Sequence, residues 1–127
     1  DELDLNYDGI EYFSFMNQED LIEQLKKVKY FILPSNFEPW GVVVHEMAAA
    51  ALPLLITDVT GAASTFVVNG NNGFVFKEDS KSELSKNLIK FNSFSEKDLI
   101  NMSHKSREMS FQIEPDMWGE SLLKLIK

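Results

Sequence analysis

From Pro39 to Phe76 the chain carries no Lys or Arg, and its only acidic residues there are Glu46 and Asp58. Charged side chains are almost never fully buried without a partner, so a long run nearly free of them is expected to form the interior of a fold. The run cannot cross a membrane. Its longest apolar candidate, Trp40 to Ile56, is broken by Glu46 and Pro53, and a span needs about 20 predominantly apolar residues.

Short apolar segments punctuated by turns set the expected order of elements. Ile10 to Phe15 reads as a strand, rich in Ile, Tyr and Phe. Asn17 can cap a helix through Lys27, with Asp20 in its first turn and Leu21, Leu25 and Val28 on one face. Tyr30 to Leu33 is a short apolar strand ended by Pro34, of the kind found in parallel sheets covered on both faces. A helix is expected from Gly41 to Ala51, a strand over Leu54 to Thr57, a short helix over Ala62 to Val68, and a strand over Phe74 to Phe76. Asn69-Gly-Asn-Asn-Gly73 is a strong turn signal. Ser80 and Glu83 form a capping-box pattern that opens a helix to about Phe91, and Ser95 with Asp98 opens another in which Leu99 and Met102 face inward. Pro115 suits the first turn of a last helix that aligns Trp118, Leu122 and Leu125. Alternating strands and helices predict an α/β fold, an open parallel sheet with helices on both faces. Ligands of such sheets sit beyond the carboxyl ends of the strands. The loops Pro34–Gly41, Asp58–Gly61 and Asn69–Gly73 are therefore candidates, and the first two follow strands directly.

Composition narrows the partners. The 127 residues fit one domain, and 44% of them are hydrophobic, enough for a packed core. A net charge of −8 argues against non-specific binding to nucleic acid or to anionic membranes. The chain has no Cys, which excludes disulfides and thiolate metal sites and fits a reducing compartment such as the cytoplasm. It begins Asp-Glu-Leu-Asp, without a secretory pattern and without Met, as expected of a segment of a longer protein.

One passage carries chemistry: Pro34-Ser-Asn-Phe-Glu38-Pro-Trp-Gly41-Val-Val-Val-His-Glu46-Met-Ala. Two Glu stand seven residues apart around a Gly at a strand-to-helix turn. Gly41 lets a ligand approach its backbone, and the free N–H groups of Gly41, Val42 and Val43 can hold an anion. Glu46, one turn into the helix, shares a face with Val42, and a carboxylate there can accept two hydroxyl hydrogen bonds, as a ribose diol would offer. His45 points to another helix face and is expected to pack rather than to react. His104 is expected on a solvated helix surface, and Asp58 is expected to cap the next turn. With two distant His and no Cys, no metal site is expected.

This passage resembles the E-x7-E motif of retaining glycosyltransferases of the large family 4, the group 1 glycosyltransferases, which have the GT-B fold. Four segments match in order: Phe31-Ile-Leu-Pro-Ser35; Glu38-Pro-Trp-Gly41 with Glu46; Pro53-Leu-Leu-Ile-Thr-Asp58 with Gly61; and Asn69-Gly-Asn-Asn-Gly-Phe-Val-Phe76. The likeness covers about residues 10 to 127. It departs from the family at Trp40, where Phe is common; at Met47, where Ala-Met or Ala-Ala usually follows the second Glu; and at Ala51-Leu52, where Gly often precedes the Pro.

The resemblance implies a single, partial domain over residues 1 to 127, the carboxyl-terminal, Rossmann-like, nucleotide-sugar-binding half of a GT-B enzyme without that domain's first strands. It implies that Glu38 contacts the donor sugar as the residue nearest catalysis, and that Trp40, Gly41 and Val42 lie against the sugar and diphosphate. Glu46 would bind the ribose, and Thr60 and Gly61 would stand near the reaction centre. The substrate would be a nucleoside diphosphate sugar, with no metal and no other cofactor. The acceptor, a polysaccharide or glycolipid, would be held by an amino-terminal domain, and peripheral membrane association of the full-length protein is compatible with this. Family members neutralise the diphosphate with an Arg and a Lys from an earlier part of the domain, so the isolated chain is expected to bind donor weakly and not to turn over. Two rival readings are a non-catalytic α/β module and a GT-B sugar-nucleotide epimerase.

Overall fold

The computed structural model describes residues 8–113. Eight elements follow one another: α1 (Gln18–Leu25), β1 (Phe31–Leu33), α2 (Val42–Ala49), β2 (Leu54–Thr57), α3 (Ala63–Phe66), β3 (Gly73–Phe76), α4 (Lys81–Ser93) and α5 (Glu96–Ser110). The three strands form one sheet in the order β1-β2-β3, and both pairings are parallel. Leu33 lies opposite Ile56, and Thr57 opposite Phe76.

The uncharged run is the core, as its composition requires. Every residue of β2 is buried. Side chains of a strand alternate between faces, so each face of the sheet has its own cluster. Leu54 and Ile56 pack with Val44, Met47 and Ala48 of α2 and Ala63 and Phe66 of α3. Leu55 packs on the other face with Phe74, Phe76, Phe91 of α4 and Met102 of α5, with Leu99 beside them. Helices therefore cover both faces of a Rossmann-like α/β sheet, as expected.

Four local expectations need correction. Ile10 to Phe15 forms no strand: the segment has no ladder partner, and Ile10, Tyr12 and Phe13 are half exposed while Phe15 is almost wholly so. The reason is topological. A strand needs a neighbour to bond its backbone, and the described sheet runs β1-β2-β3 with no strand placed beside Ile10 to Phe15. Ile10 to Phe15 thus has no neighbour to pair with among the described residues.

The helix after Gly41 stops at Ala49 rather than Ala51. Ala51 takes φ +60°, Leu52 N–H donates to the Met47 carbonyl at 3.0 Å, and Ala51 N–H to that of Ala48 at 2.9 Å. This is a Schellman stop with Ala at the left-handed position that Gly ordinarily takes.

Ser80 caps α4 by accepting the Glu83 N–H, but the Glu83 carboxylate reaches the Lys77 N–H at 2.8 Å instead of completing a box. Ser95 and Asp98 do form a complete capping box on α5. Asp58 does not cap the turn after it. Its carboxylate accepts the Glu78 N–H at 2.9 Å, because the β2–β3 register brings the two strand exits side by side. The last helix expected from Pro115, with Trp118, Leu122 and Leu125, lies outside the described residues.

Candidate functional site

At the carboxyl ends of β1 and β2 two loops run side by side, Pro34 to Gly41 and Asp58 to Ala62. Glu38 and Thr60 form a parallel bridge. Gly61 N–H donates to the Glu38 carbonyl at 3.2 Å, and Ala62 N–H to the Trp40 carbonyl at 2.7 Å. The loops extend the sheet's parallel pairing beyond its last residues.

Glycine permits the close approach. A β-carbon on Gly61 would stand 2.2 Å from the Pro39 carbonyl oxygen. Gly41 has φ +88°, a left-handed conformation that costs other residues about 1–2 kcal/mol. A β-carbon there would meet the Thr60 methyl at 2.9 Å and the Glu38 γ-carbon at 3.1 Å. The Glu38 side chain therefore lies directly against Gly41.

Gly41 is the N-cap of α2, and no side chain caps that helix. Val44 N–H turns back to the Gly41 carbonyl at 2.9 Å, which leaves the N–H groups of Val42 and Val43 without a partner within the helix, and the helix dipole adds partial positive charge. Such a start suits an anion. Glu46, on α2, is exposed, while Glu38 is half-buried. Trp40 divides its surface, 43% exposed yet edge-on to Phe66 at 6.4 Å between centroids. Val42 is largely exposed and Thr60 is buried.

The structure thus brings Glu38, Trp40, Gly41, Thr60 and Gly61 together and sets Val42 and Glu46 on the helix that starts there. The third candidate loop turns away after Asn69: Gly70 and Asn71 precede β3 and line an open cleft of about 630 Å³ with Asn101 and His104 of α5. Ligands of parallel sheets bind at the opposite end. Next to the paired loops, a cleft of about 400 Å³ is lined by Asp58, Thr60, Gly61, Ser64 and Asn69. A smaller one, about 160 Å³, joins Asn36 of the first loop to Ser80 and Lys81 at the start of α4.

His45 packs, as expected: its ring stacks on Phe66 at 4.6 Å and its Nε2–H donates to the Ser110 carbonyl at 2.8 Å. It fastens α2 to the end of α5. The exposed His104 is as expected too. Two residues escaped the reading of the sequence. Lys81 follows the uncharged run yet lines a cleft at the carboxyl ends. Thr57, only 1% exposed, donates to the Ser35 carbonyl at 2.8 Å and lies 3.2 Å from the Thr60 hydroxyl. The one signal for it in the sequence was a hydroxyl ending an otherwise apolar strand.

A three-stranded parallel sheet covered by helices on both faces, with two loops paired at its carboxyl end, defines a Rossmann-like α/β domain. The chain belongs to the family described as glycosyl transferases group 1, which it matches over residues 3–109. It is 32% identical over 62 residues to a glycogen synthase of Mycobacterium tuberculosis, a match spanning 49% of this chain and 15% of that protein. Its fold resembles that of TarM, with a TM-score of 0.70 and 20% identity over 81% of this chain and 21% of that one. It also resembles WaaG, a glycosyltransferase involved in lipopolysaccharide biosynthesis, with a TM-score of 0.66 and 25% identity over 79% of this chain and 27% of that one. The chain spans between 15% and 27% of the length of these proteins. Its sheet and helices match GT-B glycosyltransferase structures. Among the described residues no helix is long and apolar enough to cross a membrane.

Proposed function

We propose that this chain is the donor-binding domain of a retaining glycosyltransferase of family 4, which transfers a hexose from a nucleoside diphosphate sugar to a polysaccharide or glycolipid. The observation that carries the proposal is the position of Glu38. Its side chain lies against Gly41, at the uncapped start of the helix that bears Glu46. An anionic diphosphate fits the N–H groups of Gly41 and Val42. Glu46 accepts hydrogen bonds from the ribose, and Glu38 from hydroxyls of the sugar. Trp40, half in the core, presents its open surface to the sugar ring, and Thr60 and Gly61 wall the reaction centre.

Retention follows from a front-face displacement. The bond from the anomeric carbon to the phosphate oxygen breaks as the acceptor oxygen forms its bond on the same face. The departing phosphate oxygen takes the acceptor's proton. Glu38 positions the sugar and stabilises developing positive charge at the anomeric centre, without becoming covalently attached. No metal takes part.

Helix ends supply only about half a unit charge, and the diphosphate adds negative charge beside two Glu. Further cations must come from outside the run Pro39 to Phe76. The family resemblance puts an Arg and a Lys for the diphosphate in an earlier part of the domain, so the isolated chain binds donor weakly and does not turn over. The acceptor is held by an amino-terminal domain of a cytoplasmic enzyme.

The test is a transfer assay with the full-length polypeptide and uridine, guanosine or adenosine diphosphate hexoses, reading the product's anomeric configuration by NMR. Retention is expected, with transfer lowered at least about a hundredfold by Glu38→Gln. Inversion, or full activity of Glu38→Gln, contradicts the proposal.

A further inference from the structure

The two site loops meet over one buried hydroxyl. Thr57 is the last residue of β2, and its Oγ1 has a single proton to give. The Ser35 carbonyl, two residues past the end of β1, takes it at 2.8 Å; the Leu33 carbonyl at 3.5 Å is too far to compete. The Thr60 hydroxyl, 3.2 Å away and itself 2% exposed, must then donate to Thr57. The chain Thr60 to Thr57 to Ser35 runs under both loops. No buried side-chain polar atom among the described residues lacks a partner. The methyl of the same Thr60 rests under Gly41, and its backbone bridges Glu38.

We propose that Thr57 is a positioning residue of this site: its hydroxyl sets the spacing of the Ser35 and Thr60 loops and thereby the placement of Glu38 and Gly41. Valine has nearly the same shape but no hydroxyl. Thr57→Val leaves the Ser35 carbonyl and the Thr60 hydroxyl without their shared partner, and buried polar groups do not stay unpaired when a loop can move to water. The loops then part, while the strands beneath keep their own ladder.

The inference rests on the donor-site reading for its functional consequence, and two readouts on this chain separate them. Amide exchange is measured at Gly61 and Ala62, whose N–H groups bond the Glu38 and Trp40 carbonyls. Phe31 and Leu54, bonded to the Pro53 and Asn72 carbonyls at the opposite end of the strands, serve as controls. Titration with UDP, GDP and ADP gives the affinity. Thr57→Val is expected to speed exchange at Gly61 and Ala62 by about tenfold, without change at Phe31 and Leu54, and to weaken nucleotide binding by about tenfold. Thr57→Ser, which keeps the hydroxyl, is expected to restore both. Unchanged exchange at Gly61 and Ala62 overturns the inference, as does a Ser variant that behaves like Val. Faster exchange with unchanged affinity overturns the link to the donor. If the unsubstituted chain binds none of the three nucleotides, the same titration on the full-length polypeptide decides the donor reading, which fails if that too binds none, while the exchange result still decides the role of Thr57. Should Thr57→Val not fold, Thr60→Val removes the other hydroxyl and is expected to speed the same two amides; no change there overturns the inference equally.

Discussion

The β-carbon that Gly61 lacks would stand 2.2 Å from the carbonyl oxygen of Pro39. No real side chain tolerates that distance, so at this point the two site loops touch backbone to backbone. Gly61→Ala must push them apart, and overpacking of this kind costs typically about 1–3 kcal/mol. The expected result is a lower urea midpoint with an unchanged slope, together with loss of nucleotide binding. An alanine variant of wild-type stability and affinity would show that the loops are not closely paired.

Gly41 and Thr60 are expected to be energetically coupled. Gly41→Ala carries a backbone cost of about 1–2 kcal/mol from its left-handed φ, plus a clash with the Thr60 methyl at 2.9 Å. Thr60→Ser removes that methyl and keeps the hydroxyl. A double-mutant cycle should therefore show Gly41→Ala costing about 1 kcal/mol less in a chain that already carries Thr60→Ser than in the wild type. Strict additivity would mean that the methyl does not press on Gly41.

Ala51 holds a left-handed conformation at the end of α2. Gly adopts it without the β-carbon penalty, so Ala51→Gly is expected to raise stability by about 1 kcal/mol. A rise in thermal midpoint checks this; a fall would mean that α2 does not stop there.

Asn72 is fully buried; its oxygen accepts the Val68 N–H at 2.8 Å and its amide donates to the Phe66 carbonyl at 2.7 Å. Asn72→Ala strands both backbone groups and should cost about 2–4 kcal/mol, read by urea unfolding. An aspartate there keeps the acceptor but loses the donor and should also destabilise at neutral pH.

Asp98 has its pKa lowered, first by the Ser95 hydroxyl and then by the Ser95 N–H, both of which bond its ionised form. A depressed carboxylate contributes stability above its unfolded value, about 3.9, and loses it as pH falls through the lower folded value. Amide protection factors at the start of α5, corrected for the intrinsic pH dependence of exchange, should therefore fall only below about pH 4, and Asp98→Asn should abolish that dependence.

Much of the fold was legible because β2 and its neighbours are short apolar runs bounded by Pro53, Pro34 and the Asn69–Gly73 turn. Leu54 to Thr57 was placed to the residue, since a strand buried on both faces reads as a continuous apolar run. Ile10 to Phe15 misled for the converse reason: strand composition is local, whereas a strand exists only with a neighbour. The site divided in the same way. Glu38, Gly41 and Glu46 stand within one local motif, which the resemblance of four consecutive segments to a family singles out. Thr57, the pairing of Glu38 with Thr60, and the reach of Asp58 to Glu78 depend on parallel register across about twenty residues of chain, which periodicity does not reveal.

The most direct test of the donor site is an NMR titration of this chain with UDP, GDP and ADP. Shifts clustered at Gly41, Val42 and Glu46 are expected with one of the three, abolished by Glu46→Ala. Saturating shifts that centre on the Gly70 to Lys105 cleft instead, or that survive Glu46→Ala unchanged, would contradict the assignment of the donor site.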